Sequence, residues 1–186
     1  MLEKISLLKK RDTIFLLIAI CVVSGLVAYI MNVNFVEMPA VNSSQQRFVN
    51  LLILVVGILT PLSMVLGYSI FFILVAMFQT VKSKTYKFEI FRIAVISYLP
   101  ILIGTVLNLI LTFLFGYSEI GYITIHTIFE GEILQTILKQ LEPFQIFSLV
   151  MMATLYMLSF NKGRITVISS ISIWLVLSIL SESFMV

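Results

Sequence analysis

Residues 48–81 read FVNLLILVVGILTPLSMVLGYSIFFILVAMFQTV, 34 positions without an Asp, Glu, Lys or Arg. Such a run is either one long membrane-spanning helix or two short ones folded back at Pro61. The choice fixes the side of the membrane on which every later segment lies. A helical span needs about 20 apolar residues at about 1.5 Å rise to cross about 30 Å of hydrocarbon, so a single helix here overshoots the bilayer and its surplus protrudes or lies in the interface. The cations that follow decide between the two. Lys82, Lys84, Lys87 and Arg92 come directly after the run, and a hairpin would strand them on the outer face, against the positive-inside rule. One long helix, tilted or kinked at Pro61, is the expectation.

The rest of the chain has the same character. Of its 186 residues 60% are hydrophobic and 11% charged, with the charges bunched, which places it among integral membrane proteins. Four more uncharged runs can each hold a helix: Thr13–Val36, Ile93–Ser118, Pro143–Asn161 and Ile165–Ser181. They are continuously apolar rather than alternating, which excludes barrel strands. Ten of the twelve Lys and Arg fall in three segments: the amino-terminal MLEKISLLKKRD, VKSKTYKFEIFR, and the loop containing Lys162 and Arg164. The intervening segments carry six of the nine carboxylates but only Arg47 and Lys139. The expectation is an all-α polytopic bundle, one membrane domain over residues 1–186. Its five transmembrane helices lie near 13–31, 49–80, 93–115, 144–160 and 165–180, with the amino terminus inside and the carboxyl terminus outside.

Two segments need separate reading. The first run follows a basic start, but no A-x-A cleavage pattern succeeds it and Ile20 precedes Cys21, so it reads as an anchor rather than a signal peptide. Cys21, the single cysteine, has no partner for an internal disulfide and no basic neighbour to activate it. Near 130–142, before the fourth span, Ile133, Leu134, Ile137, Leu138 and Leu141 mark one face of an amphipathic helix. Such a helix lies in the headgroup region and covers the outer mouth of the bundle, or serves as a lid or docking surface.

Motifs for chemistry are few. His126 is the only histidine and Glu130 with Glu132 has no further ligand at metal spacing, so neither a metal nor a catalytic site is expected, and no cofactor. G-x-S-x-G, H-E-x-x-H and G-x-x-x-x-G-K-[ST] do not occur. The expected spans carry no ionisable Asp, Glu, Lys, Arg or His. Intramembrane charges cost about 2.5 to 3.5 kcal/mol each on insertion scales, so a proton relay built from them is not expected. The spans do carry hydroxyls and amides, Ser24, Ser63, Tyr68 and Asn108 among them, which serve helix packing. Ser24 with Ala28 and Ser63 with Gly67 are small pairs that admit a close neighbour.

In the third span the stretch SYLPILIGTVLN, residues 97–108, sets a helix breaker and an amide in apolar sequence. Pro100 bends the helix and frees a carbonyl near Val95 or Ile96, Gly104 admits a neighbour, and Asn108 either finds a partner across that contact or lines a ligand cavity.

The Tyr98-Leu99-Pro100 element, the Glu142-Pro143-Phe144 start of the fourth span, the Asn161-Lys162-Gly163-Arg164 turn and Trp174 together resemble the Yip family, the Ypt/Rab-interacting protein domain of five-span membrane proteins. The resemblance covers roughly Leu51 to Leu180 and implies the same topology. Phe147 stands where that family commonly has tryptophan. Only about a dozen residues precede the first span, whereas the eukaryotic relatives carry a long cytoplasmic region, so the similarity points to bacterial members. Those often accompany ABC exporters and are connected with protection against antimicrobial peptides. What the resemblance implies is a non-enzymatic accessory protein of the bacterial plasma membrane, partnered by the lipid bilayer and an ABC permease and ATPase, with self-association open and no nucleic acid. Tyr98, Pro100, Gly104, Asn108, Pro143, Phe144 and Trp174 are its candidate packing or partner-facing residues. Lys82, Lys84, Lys87, Arg92, Lys162 and Arg164 are its candidate cytoplasmic contacts, or simply topology determinants beside anionic lipid. The alternatives are a substrate-binding membrane subunit of a vitamin uptake system, of which Ser24 with Ala28 is a faint echo, and a lipid-organising protein.

Overall fold

A computed structural model of the chain describes residues 9–35, 43–81, 85–118, 121–123 and 142–183. The expected amphipathic helix near 130–142 falls, but for Glu142, outside these residues, as do Lys82, Lys84 and His126. The described elements are all helical: α1 Lys10–Phe35, α2 Ser43–Phe78, α3 Tyr86–Ser97, α4 Leu99–Phe115, α5 Pro143–Phe160 and α6 Arg164–Ser183. Four helices are long and apolar enough to cross a membrane: α1, α2, α5, and α3 with α4 taken together. The helix α6 is apolar over Arg164–Ser178. This architecture fits a multi-pass membrane protein.

Helix α2 runs through Pro61 without interruption for 36 residues, about 54 Å at about 1.5 Å per residue. A proline inside a helix removes one ladder bond, and hydroxyl groups are the usual replacement donors in lipid. Here Thr60 Oγ1 donates to the Val56 carbonyl at 2.9 Å and Ser63 Oγ to the Thr60 carbonyl at 2.9 Å. Both lie beside Pro61, but neither donates to the Gly57 carbonyl that a residue-61 N–H would serve. The third membrane helix divides at Tyr98 into α3 and α4, yet Tyr98 keeps helical dihedrals, its N–H donating to the Ala94 carbonyl and its carbonyl accepting the Leu102 N–H, each at 3.2 Å. Pro100 then sits in the first turn of α4, where its missing N–H is not needed. The hydroxyl of Ser97, one turn earlier, makes no hydrogen bond among the described residues.

Helix α1 lies against α2, and small residues set their distance. A Cβ built on Gly57 would stand 2.8 Å from Ala28 Cβ and 3.0 Å from Gly25 Cα, and one on Gly25 would stand 3.1 Å from the Leu54 carbonyl oxygen. The backbones therefore cross in near contact at Ser24, Gly25 and Ala28. Further along, Asn32 Nδ2 donates to Asn50 Oδ1 at 2.8 Å, a polar link between the same two helices. Ser63, expected to act with Gly67 as a small pair, is exposed; only Gly67 receives a neighbour, the Trp174 ring.

The centre of the bundle is α3. Ile90 and every residue from Arg92 to Tyr98 are buried, so this segment is enclosed on all sides, as a helix without a polar face must be. Leu17, Ile20 and Cys21 of α1, Val65, Tyr68 and Phe72 of α2, and Leu149, Met152 and Tyr156 of α5 close around it. Arg92, one of the candidate cytoplasmic contacts, is covered by this packing. It is 9% exposed, on a helix that starts before the expected span, with its guanidinium 3.9 Å from Glu89 one turn back.

Inserting a side chain where α1 and α2 touch should be costly. Gly57→Val is expected to lower stability by about 1 to 3 kcal/mol through overpacking, while Gly163→Ala, with open space around it, stays within about 0.5 kcal/mol. Thermal unfolding of the detergent-solubilised variants checks both.

Candidate functional site

The face of α4 that carries Ile101, Gly104, Thr105 and Asn108 follows the i, i+3, i+4, i+7 spacing of one helical stripe. Opposite it, α5 starts with Pro143 in its first turn, so that Phe144 and Gln145 are carried on the first helical residues. Phe144 lies directly on Gly104: a Cβ there would stand 2.7 Å from the ring carbons Cγ and Cδ2. Only a glycine lets the ring in so far. Beside this contact an open-sided cavity of about 240 Å³ lies between the two helices, lined also by Thr105, Asn108, Ile123, Glu142 and Gln145.

Asn108 finds its partner on its own connection rather than across a helix contact. Its Oδ1 accepts the Tyr122 N–H at 2.8 Å, and the Tyr122 hydroxyl donates to the Gly116 carbonyl at 2.8 Å. The chain can fold back in this way because Gly116 and Gly121 take φ of +95° and +80°, values that favour glycine. A Cβ on Gly121 would in addition lie 3.1 Å from both amide atoms of Asn108. The remaining polar groups are mutually arranged. Gln145 Nε2 donates to Glu142 Oε2 at 3.3 Å, and Thr105 Oγ1 donates to the Ile101 carbonyl at 2.9 Å. Glu142 also stands at the amino-terminal end of α5, where the helix dipole favours a negative group.

Of the residues singled out in the sequence, Gly104, Asn108 and Phe144 meet at this cavity, with Pro143 exposed beside them. Tyr98 and Pro100 are buried nearer the core. Trp174 is elsewhere, its ring 4.8 Å from Tyr68 and 5.2 Å from Phe71, where it holds α6 to α2. Lys87 and Arg164 are exposed. Lys162 is half-buried and donates from Nζ to the Gln79 carbonyl at 3.2 Å, capping the end of α2. Around it, the Tyr156 hydroxyl donates to Gln79 Oε1 at 3.2 Å and Gln79 Nε2 to Thr166 Oγ1 at 3.5 Å, so three helices meet on one glutamine. Among the described residues no three of His, Cys, Asp and Glu gather as a metal site would need.

Sequence reading missed Thr105, Gln145 and the cavity role of Glu142. The helical stripe through Ile101 and Asn108 was a usable signal for Thr105. Gln79 gave none, since its partners come from α5 and α6.

Comparison with protein-family models, with curated proteins and with solved structures finds no match for this chain.

Replacing Asn108 with leucine should release the connection it holds. The Tyr122 amide is expected to lose its protection in hydrogen–deuterium exchange in Asn108→Leu, and to keep it in Asn108→Asp, which retains the acceptor oxygen.

Proposed function

We propose that this chain is a five-span, non-enzymatic accessory protein of the bacterial plasma membrane. Its amino terminus is cytoplasmic, and it associates with an ABC-type exporter that serves antimicrobial-peptide export or immunity. The observation that carries the reading is where the residues of the Yip resemblance stand. Tyr98 and Pro100 form the α3–α4 junction at the core, Phe144 fills the groove over Gly104, and Trp174 joins α6 to α2. They are framework contacts of a helix bundle, the part of such a protein that a family would share. The cations support the orientation: Lys10, Arg11, Lys87 and Arg164 belong to helix ends on one side, and Glu142 to the other.

A second reading, a ligand-binding membrane subunit for a small molecule, is favoured by one observation, the cavity between α4 and α5 with its polar lining.

The orientation predicts the labelling of single cysteines. In a Cys21→Ser background, Glu142→Cys should react with a membrane-impermeant maleimide in intact cells, and Lys87→Cys only after the membrane is opened. The partner reading predicts that tagged protein, drawn from its native membrane in mild detergent, brings a permease and an ATPase with it in near-stoichiometric amounts by mass spectrometry. Recovery of the chain with lipid alone overturns it.

A further inference from the structure

The cavity between α4 and α5 is lined by side chains that both give and take hydrogen bonds. Among the described residues Asn108 spends one Oδ1 lone pair on the Tyr122 N–H, which leaves its second lone pair and both Nδ2 hydrogens. Gln145 spends one Nε2 hydrogen on Glu142, which leaves the other hydrogen and the whole of Oε1. Thr105 donates its hydrogen to the Ile101 carbonyl and presents lone pairs only. Glu142 is already engaged within the fold, and a guest needs nothing from it. A cation with donors alone would leave the N–H groups of Asn108 and Gln145 unmet, and an anion with acceptors alone would leave the oxygens unmet. Asn108 and Thr105 stand on α4 and Gln145 on α5, so a guest with one polar edge, such as a single carboxamide, serves only part of the set. A neutral guest with several hydroxyls serves all of it, because each hydroxyl gives one hydrogen and accepts two. The Phe144 ring and Ile101 add an apolar wall, which suits the C–H flank of a sugar or polyol.

The cavity also lies at a level where hydroxylated headgroups are found. Phe115, Tyr117 and Tyr122, all exposed, stand at the end of α4 and in the turn that folds back onto Asn108. Exposed aromatic residues at the end of a span mark the membrane–water interface. Ile123, next to Tyr122, is part of the lining.

We propose that this cavity binds a neutral polyol with adjacent hydroxyls, held by the Asn108 and Gln145 amides and the Thr105 hydroxyl. A glycosyl lipid headgroup and a free sugar both carry that group. The inference rests on the ligand-binding reading of the cavity, and its test separates the failure of one from the failure of the other.

The purified full-length protein, in a detergent without a sugar headgroup, is titrated with methyl glucoside, ethylammonium chloride and sodium propionate at matched ionic strength, reading the thermal midpoint. Trimethylamine N-oxide supplies the non-saturating rise of an excluded osmolyte for comparison. In parallel, native mass spectrometry follows which lipid the protein retains from micelles containing equal glucosyl-diacylglycerol, phosphatidylethanolamine and phosphatidic acid. The expected result is a saturable rise with methyl glucoside and with neither charged probe, preferential retention of the glucolipid, or both. Retention of the lipid without a response to the free sugar assigns the site to the headgroup, and the reverse assigns it to a sugar from solution. Gln145→Leu should weaken the response about threefold to tenfold, the scale of a lost neutral hydrogen bond. Asn108→Asp keeps the acceptor for Tyr122 but loses both N–H donors. It should weaken the response by a similar factor, and keeps the proposal testable if Gln145→Leu does not fold. A saturable response to a charged probe, or preferential retention of a phospholipid, overturns the polyol assignment while leaving a ligand site. No saturable response and no retained lipid overturns the assignment and the ligand-binding reading together, and a sugar response unchanged in both variants removes the proposed site.

Discussion

Hydrocarbon offers a polypeptide no hydrogen-bond partners, and a backbone group left unpaired there costs several kcal/mol unless the chain supplies a substitute. The described prolines stand in two settings, one in a helix interior and two in the first turn of a helix, where the missing N–H has no intrahelical partner to lose. Pro61 stays inside a continuous helix, with the Thr60 and Ser63 hydroxyls beside it bonded to the Val56 and Thr60 carbonyls rather than to the Gly57 carbonyl that a residue-61 N–H would serve. Pro100 falls in the first turn of α4, just after the α3–α4 junction at Tyr98, and Pro143 opens α5. The α3–α4 junction at Tyr98 and the start of α5 at Pro143 frame the cavity. They set the stretch from Ile101 to Asn108 opposite the first residues of α5, which is where the cavity forms.

A second consequence concerns packing. Lipid is as apolar as a leucine side chain, so helices associate through close fit and polar links rather than through hydrophobic burial. The contacts that define this bundle are of those kinds. Gly25 and Gly57 let α1 and α2 touch, Asn32 bonds to Asn50, Gly104 receives Phe144, and Gln79 gathers Tyr156, Lys162 and Thr166. Each is a small or polar residue in an apolar run. The two amide-centred sites also differ in kind. Gln79 uses its backbone carbonyl and both side-chain amide atoms as a knot, whereas Asn108 holds its own connection in place beside a cavity.

The enclosure of α3 gives the bundle its centre and explains the fate of Arg92. The sequence VKSKTYKFEIFR reads as one basic cytoplasmic segment. In the folded chain its carboxyl-terminal half is the first turns of the most buried helix, so Lys87 faces outward while Arg92 is covered beside Glu89. Helical geometry separates them: five residues along an α-helix rotate a side chain by roughly 500°, well over one turn, onto another face.

Composition and charge order by themselves determined that this chain is helical, apolar and built to cross a membrane several times, because the length of an uncharged run is a direct measure of what a bilayer can hide. They also flagged Pro100, Gly104 and Asn108, since a breaker, a missing side chain and an amide each have a restricted use in lipid. Tertiary structure alone decided what those residues touch. Positions that face lipid and positions that face another helix are equally apolar, as Ile18 beside Ile20 or Ile70 beside Phe72 illustrate, so no periodicity distinguishes them. For the same reason the meeting of Gly25 with Gly57, of Phe144 with Gly104, and of Glu142 with the Asn108 face of α4 depended on how the helices cross, a quantity that is not written in any one of them.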